Sequence, residues 1–236
     1  KLGIADNTIV LFVSDHGPER KGSLIKTRGT EIPCLIRWPT VLQPGSVSHG
    51  LLQNTDFVPT WFELAKAKIP ENYHIDGKSL AAMFEDPAVS IRKYIYGEQG
   101  AARAIKTEAF EYISIRYTDE QISEAQSKRA DRAYKTLLGL SSGISRARYF
   151  HPDIFSADQL YDLSKDPNSQ KNVADDSSYA GQLKKMKAIL TRTVKELGTQ
   201  KYGDYVPGKG TSGAEASQKV LDQLAAYHEK KKKKKK

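Results

Sequence analysis

Residues 8–14, Thr-Ile-Val-Leu-Phe-Val-Ser, constrain this chain more than any other stretch. A nearly unbroken apolar run of that length, rich in β-branched residues, is shorter than a typical helix and reads as a central strand covered on both faces. Asp6-Asn7 supply the turn before it, and Asp15-His16-Gly17-Pro18 break it. A polar loop then runs to Glu31, and a second apolar run, residues 32–38, reads as another buried strand ending at Pro39. Strands of this kind must be covered by helices, so the expected architecture is α/β.

Downstream, Asn54-Thr55-Asp56 look like a helix cap. Phe57, Val58, Trp61, Phe62, Leu64 and Ala65 form one buried helical face, and Pro59 stands in the first turn, where proline is tolerated. After Asp76-Gly77 a short helix is expected over residues 79–84. From about Arg92 the texture changes to shorter, half-exposed strands: residues 93–96, 102–106, 111–116 and 159–163. Ile113, Ile115 and Tyr117 alternate with Ser114 and Arg116, which fits an antiparallel sheet. Residues 118–138 are charged and read as helical. Residues 177–197 carry Tyr179, Leu183, Met186, Ile189, Leu190, Val194 and Leu197 at helical spacing, a long amphipathic helix that should pack on the small sheet. Residues 203–217, rich in Gly and Ser, read as a linker, and 218–227 as a short helix. The expected division is 1–91, the end of an α/β domain; 92–200, a subdomain of four antiparallel strands and one long helix; and 201–236, linker and lysine-rich tail.

The formal net charge is +9, but seven of those charges are the run of lysines at 230–236, leaving +2 for the rest. A near-neutral body argues against a nucleic-acid-binding domain. The tail reads as solvated chain, with contact to a polyanion as its functional alternative. A single cysteine, Cys34, excludes an intramolecular disulfide framework and a cysteine-rich zinc module, and its apolar neighbours predict an inert buried thiol. No stretch is long and apolar enough for a transmembrane helix, and no leader pattern precedes residue 8.

An aspartate and a histidine directly after a buried strand sit where open α/β sheets bind ligands, beyond the carboxyl ends of their strands. Asp15 and His16 are therefore candidate metal ligands, with turn formation as the plain alternative. The surrounding string widens the signal. Asp-Asn-Thr-Ile-Val-Leu-Phe-Val-Ser-Asp-His-Gly-Pro, the basic loop Arg20-Lys21-Gly22-Ser23-Leu24, and Ile-Pro-Cys-Leu-Ile-Arg-Trp-Pro follow one another. Further on come Asn-Thr-Asp-Phe-Val-Pro-Thr, Ile-Asp-Gly-Lys-Ser-Leu, Ala-Arg-Ala-Ile-Lys-Thr, and Gln-Leu-Tyr-Asp-Leu-Ser-Lys-Asp-Pro-Asn-Ser-Gln-Lys-Asn-Val-Ala-Asp-Asp. In this order the segments resemble the sulfatase family of the alkaline phosphatase superfamily, over residue 4 to about residue 197.

The resemblance implies the C-terminal part of an alkaline-phosphatase-like sandwich, with helices around a large mixed sheet, followed by the small antiparallel subdomain. It implies hydrolysis of sulfuric esters, on a sulfated carbohydrate or small molecule, in a secreted or periplasmic setting. By position, Asp15 and His16 match two metal ligands, and Lys21, with Lys26 as its rival, matches the lysine that neutralises the sulfate and its bridging oxygen. Arg103 and His151 are candidate substrate contacts; Lys106, Arg146 and Arg148 are comparable basic residues. Calcium is the implied cation, but the nitrogen of His16 keeps Zn2+ and Mn2+ open. The implied nucleophile is formylglycine, from Cys-x-Pro-x-Arg or Ser-x-Pro-x-Arg, and neither string occurs in these residues. The chain is thus expected to be inactive alone, the nucleophile lying upstream. A phosphodiesterase or phosphonate hydrolase of the same superfamily, or a non-catalytic polyanion-binding fragment, are the rival readings. His49, His74 and His228 read as solvated.

Overall fold

The computed structural model describes residues 2–17, 27–99, 101–116 and 156–197. The expected helices over 118–138 and 218–227, the linker and the lysine tail lie outside the described residues. The chain forms two compact units, one of residues 1–15 and 32–95, the other of residues 16–31 and 96–236.

In the first unit, β1 (Val10–Val13) and β2 (Cys34–Arg37) pair antiparallel, with Phe12 opposite Leu35 and Val13 opposite Cys34. Leu11, Val13, Cys34 and Ile36 line one face. They pack against Phe57, Leu80, Met83 and Phe84 from α2 (Phe57–Leu64), α3 (Ala81–Glu85) and the residue before α3. Trp38 meets Phe84 edge-on at 6.1 Å and Phe57 stacks on Trp61 at 6.2 Å. The opposite face is bare, with Phe12 61% and Leu35 65% exposed. The apolar run provides two apolar faces, and the described residues provide helices for only one. Burial of Cys34 raises its thiol pKa, which keeps it protonated and unreactive.

The motif around α2 is a buried tie. Asp56, fully buried, caps the turn Asn54–Asp56: its Oδ2 accepts from the Gln53 amide at 2.6 Å, and its Oδ1 from the Lys78 amide at 2.8 Å and from Arg92 Nη2. Arg92 Nη1 also donates to Gln53 Oε1 at 2.6 Å. Thr60 Oγ1 donates to the Asp56 carbonyl and accepts from the Leu80 amide, joining α2 to the start of α3. A Cβ at Gly77 would run into the Thr55 carbonyl, so only glycine permits this close approach.

The second unit holds β3 (Ile95–Gln99), β4 (Ala102–Lys106), β5 (Phe110–Ile115) and β6 (Asp158–Asp162), hydrogen-bonded in that order. β5 runs antiparallel to both β4 and β6. The long helix α4 (Ala180–Leu197), preceded by a 3₁₀ turn at Ser177–Tyr179, packs on β4 and β5 and buries Met186 and Leu190. The two inner strands are buried rather than half-exposed, because their polar positions are taken up by internal pairs. Asp158 accepts from Tyr112 Oη at 2.6 Å, Arg116 Nη2 at 2.9 Å and Lys187 Nζ of α4 at 2.8 Å. Burial pushes its pKa up, but the bonds from Lys187, Tyr112 and Arg116 together prevail and hold it low. Asn172 Oδ1 accepts from the Leu160 and Ala174 amides, pinning the return segment to β6.

Asp162 ends β6. The Ser164 hydroxyl, then Tyr179 and Lys165, lower its pKa to about 2 against the opposing effect of burial. Since the unfolded value is about 3.9, the carboxylate contributes its stability fully above about pH 4 and loses it as pH falls through about 2. Asp162→Asn is therefore expected to lower the melting temperature at neutral pH and to flatten the acid limb between those two values. Thermal melts across that range check it, and an unchanged acid limb would move the proton uptake to another group.

Candidate functional site

β1 ends at Val13, and the chain turns through Ser14 to reach the candidate ligands. Asp15 is exposed, His16 half-buried and Gly17 buried. His16 Nδ1 lies 2.7 Å from the Gly17 carbonyl oxygen. A carbonyl only accepts, so Nδ1 carries the proton of this bond, and the bond fixes the direction of the ring, as a backbone carbonyl does for a metal-binding imidazole. The Gly17 amide in turn donates to the Gly29 carbonyl at 2.9 Å, in the short helix α1 (Thr27–Thr30) that the sequence did not announce. Lys21 and Lys26 lie in the same loop, outside the described residues, as do Arg146, Arg148 and His151.

Arg103 is 4% exposed on β4, where its Nη1 donates to the Ala102 carbonyl at 2.9 Å and its Nε lies 3.3 Å from Glu98 Oε2. Lys106, at the end of β4, donates to Glu31 Oε2 at 3.3 Å. His49 is exposed, and His74 pairs with Asp76 at 2.9 Å on the surface. Among the described residues no group of three or more His, Cys, Asp or Glu side chains could hold a metal ion. Asp15 and His16 fit a divalent cation in donor type, one carboxylate and one imidazole, but each supplies a single ligand, and four to eight are required.

Residues 1–67 match the family model described as Sulfatase. An ulvan-active sulfatase of Formosa agariphila is 29% identical over 82% of this chain and 37% of its own length. The N-acetylglucosamine-6-O-sulfatase of Bacteroides thetaiotaomicron is 26% identical over 83% of this chain and 32% of its own. Over these stretches the chain is similar to the sulfatase family. Its fold agrees: a structure solved in complex with its substrate, D-glucosamine-2-N,6-O-disulfate, superposes with a TM-score of 0.57 at 23% identity, over 82% of this chain and 35% of the other. The architecture is an α/β layer followed by a four-stranded antiparallel sheet with one long helix, and its fold is shared with the matched part of that structure. The chain spans about a third of the length of these curated relatives.

Proposed function

We propose that this chain forms part of a metal-dependent sulfatase that removes sulfate from a sulfated carbohydrate, with Asp15 and His16 as two of the metal ligands. The observation that carries the reading is His16, whose ring is oriented by the bond from Nδ1 to the Gly17 carbonyl, one residue after a carboxylate at the end of a strand. A divalent cation held there would polarise the sulfate oxygens. The chain's own residues would supply the rest of the charge balance. Asp15 offers an anionic oxygen to the cation, and His16 a neutral nitrogen. Lys21, or Lys26 in its place, brings an ammonium to the sulfate and the departing oxygen, where negative charge grows in the transition state. His151 would face the sugar or its anionic groups, and Arg103, buried beside Glu98, would contribute charge from behind the surface rather than a direct contact. The carbohydrate assignment follows the two curated relatives named above, one active on ulvan and one on an N-acetylglucosamine 6-O-sulfate. Calcium is the proposed cation, with zinc and manganese as its rivals because of the imidazole nitrogen.

The complete enzyme, with a nucleophile-bearing segment, should hydrolyse an aryl sulfate at least about tenfold faster than the matching aryl phosphate, a difference of roughly 1.4 kcal/mol in transition-state binding. Steady-state kinetics on the two 4-nitrophenyl esters measures this. A preference for phosphate would transfer the chain to the phosphodiesterase branch, and no turnover of either ester by an intact enzyme would leave polyanion binding as the better account.

A further inference from the structure

Sequence places His16 at the start of a loop flanked by β1 and β2, yet residues 16–31 form a compact unit with the small antiparallel sheet rather than with those strands. A run of contacts inside that unit leads from the sheet to the imidazole. Lys106 closes β4, backbone-paired opposite Glu111, and its side chain is 19% exposed. Its ammonium donates to Glu31 Oε2 at 3.3 Å, across 75 positions of sequence. Two residues before Glu31, the Gly29 carbonyl accepts from the Gly17 amide at 2.9 Å, and both glycines are buried. The Gly17 carbonyl then accepts from His16 Nδ1 at 2.7 Å. Residue Gly17 is therefore held through both of its backbone polar groups, its N–H by α1 and its carbonyl by the imidazole. The far side of α1 is tied to the sheet through Glu31.

We infer that Lys106 is a positioning residue for His16: it acts through Glu31 and the Gly29–Gly17 hydrogen bond to hold the ring in one tautomer and orientation. Its role as a ligand-positioning device rests on the proposed metal site, but the mechanical link does not. In metal sites the groups that orient a ligating histidine set its basicity and direction, which is the service the Gly17 carbonyl performs here. An ion pair whose acid is 66% exposed is a modest clamp, so the link is a bias on a local opening rather than a lock.

Hydrogen exchange and imidazole ¹⁵N spectra of the full 236-residue chain, without added metal, test this. Lys106→Ala should raise exchange at the Gly17 amide by about 2- to 5-fold and shift the His16 ring nitrogens toward a mixture of tautomers, with Ile113 on the neighbouring strand unchanged. Lys106→Arg should restore both signals, and Glu31→Gln should reproduce the effect without adding to it. Unchanged exchange at Gly17, or a parallel rise at Gly17 and Ile113, overturns the inference, the second because it would mean that the sheet itself had loosened. If the link holds while Asp15→Ala leaves metal binding intact in the complete enzyme, it is the metal assignment that falls and not the clamp.

Discussion

Asp56→Ala is expected to destabilise the first unit by about 3–5 kcal/mol, the range for breaking a buried ion pair by removing one partner. The carboxylate is fully buried, and the Arg92 side chain it meets is 9% exposed. Without the carboxylate the guanidinium stays in a low-dielectric setting with no counter-charge, and the Gln53 and Lys78 amides lose their acceptor. Each of those groups is desolvated, so the loss exceeds that of an ordinary surface cap, roughly 1 kcal/mol. Both tryptophans, Trp38 and Trp61, lie in this unit, so urea unfolding followed by their fluorescence reports on it alone. Asp56→Asn should fall between wild type and Asp56→Ala, because it keeps an acceptor and drops the charge. The double variant Asp56→Leu, Arg92→Met should recover part of the loss, since no charge is then left buried. A loss below about 1 kcal/mol for Asp56→Ala would mean that water reaches Arg92 and compensates it.

That tie marks the limit of what could be read from the sequence. Asn54-Thr55-Asp56 was legible as a cap because capping is a local event, decided within three or four residues. Its pairing with Arg92, 36 positions away, was not, since nothing near either residue specifies the other. β4 falls on residues 102–106 as expected, because a short alternating run bounded by polar turns can form little else. The strand over residues 8–14 was found as Val10–Val13, and an apolar face declares that it should be buried without saying by what. The alternation of Ile113 and Ile115 with Ser114 and Arg116 suggested one wet face, whereas the Asp158 carboxylate pairs with Arg116 and with Lys187 of α4 and closes the arginine side. The α1 turn, Thr-Arg-Gly-Thr, has poor helix propensity and exists beside the Gly17–Gly29 bond, a contact between residues that the local pattern treats as loop. At the candidate site, strand followed by Asp-His was readable because both residues come from one turn. The contact from Lys106 to Glu31 was not, because it joins distant segments.

Asp15→Ala should remove the metal from the complete enzyme and lower kcat/KM for a sulfate ester by on the order of 10³-fold, comparable with deleting a major charge-stabilising group from a preorganised site. Asp15 is exposed, so stability should stay within about 0.5 kcal/mol of wild type. Activity, metal content by elemental analysis and thermal stability together separate a lost ligand from a lost fold. His16→Asn sharpens the test, because its amide oxygen replaces a nitrogen donor. Calcium, which prefers oxygen, should be retained or bound more tightly, whereas zinc affinity should fall. Falling activity with unchanged calcium content would instead place His16 on the substrate side of the site, and stoichiometric metal with near-normal turnover in Asp15→Ala would remove the pair from the metal altogether. The outcome at His16 also bears on the ester. A nitrogen ligand retained for zinc or manganese would favour the phosphate chemistry of the superfamily, and a site that works equally well with an oxygen donor and calcium would favour sulfate.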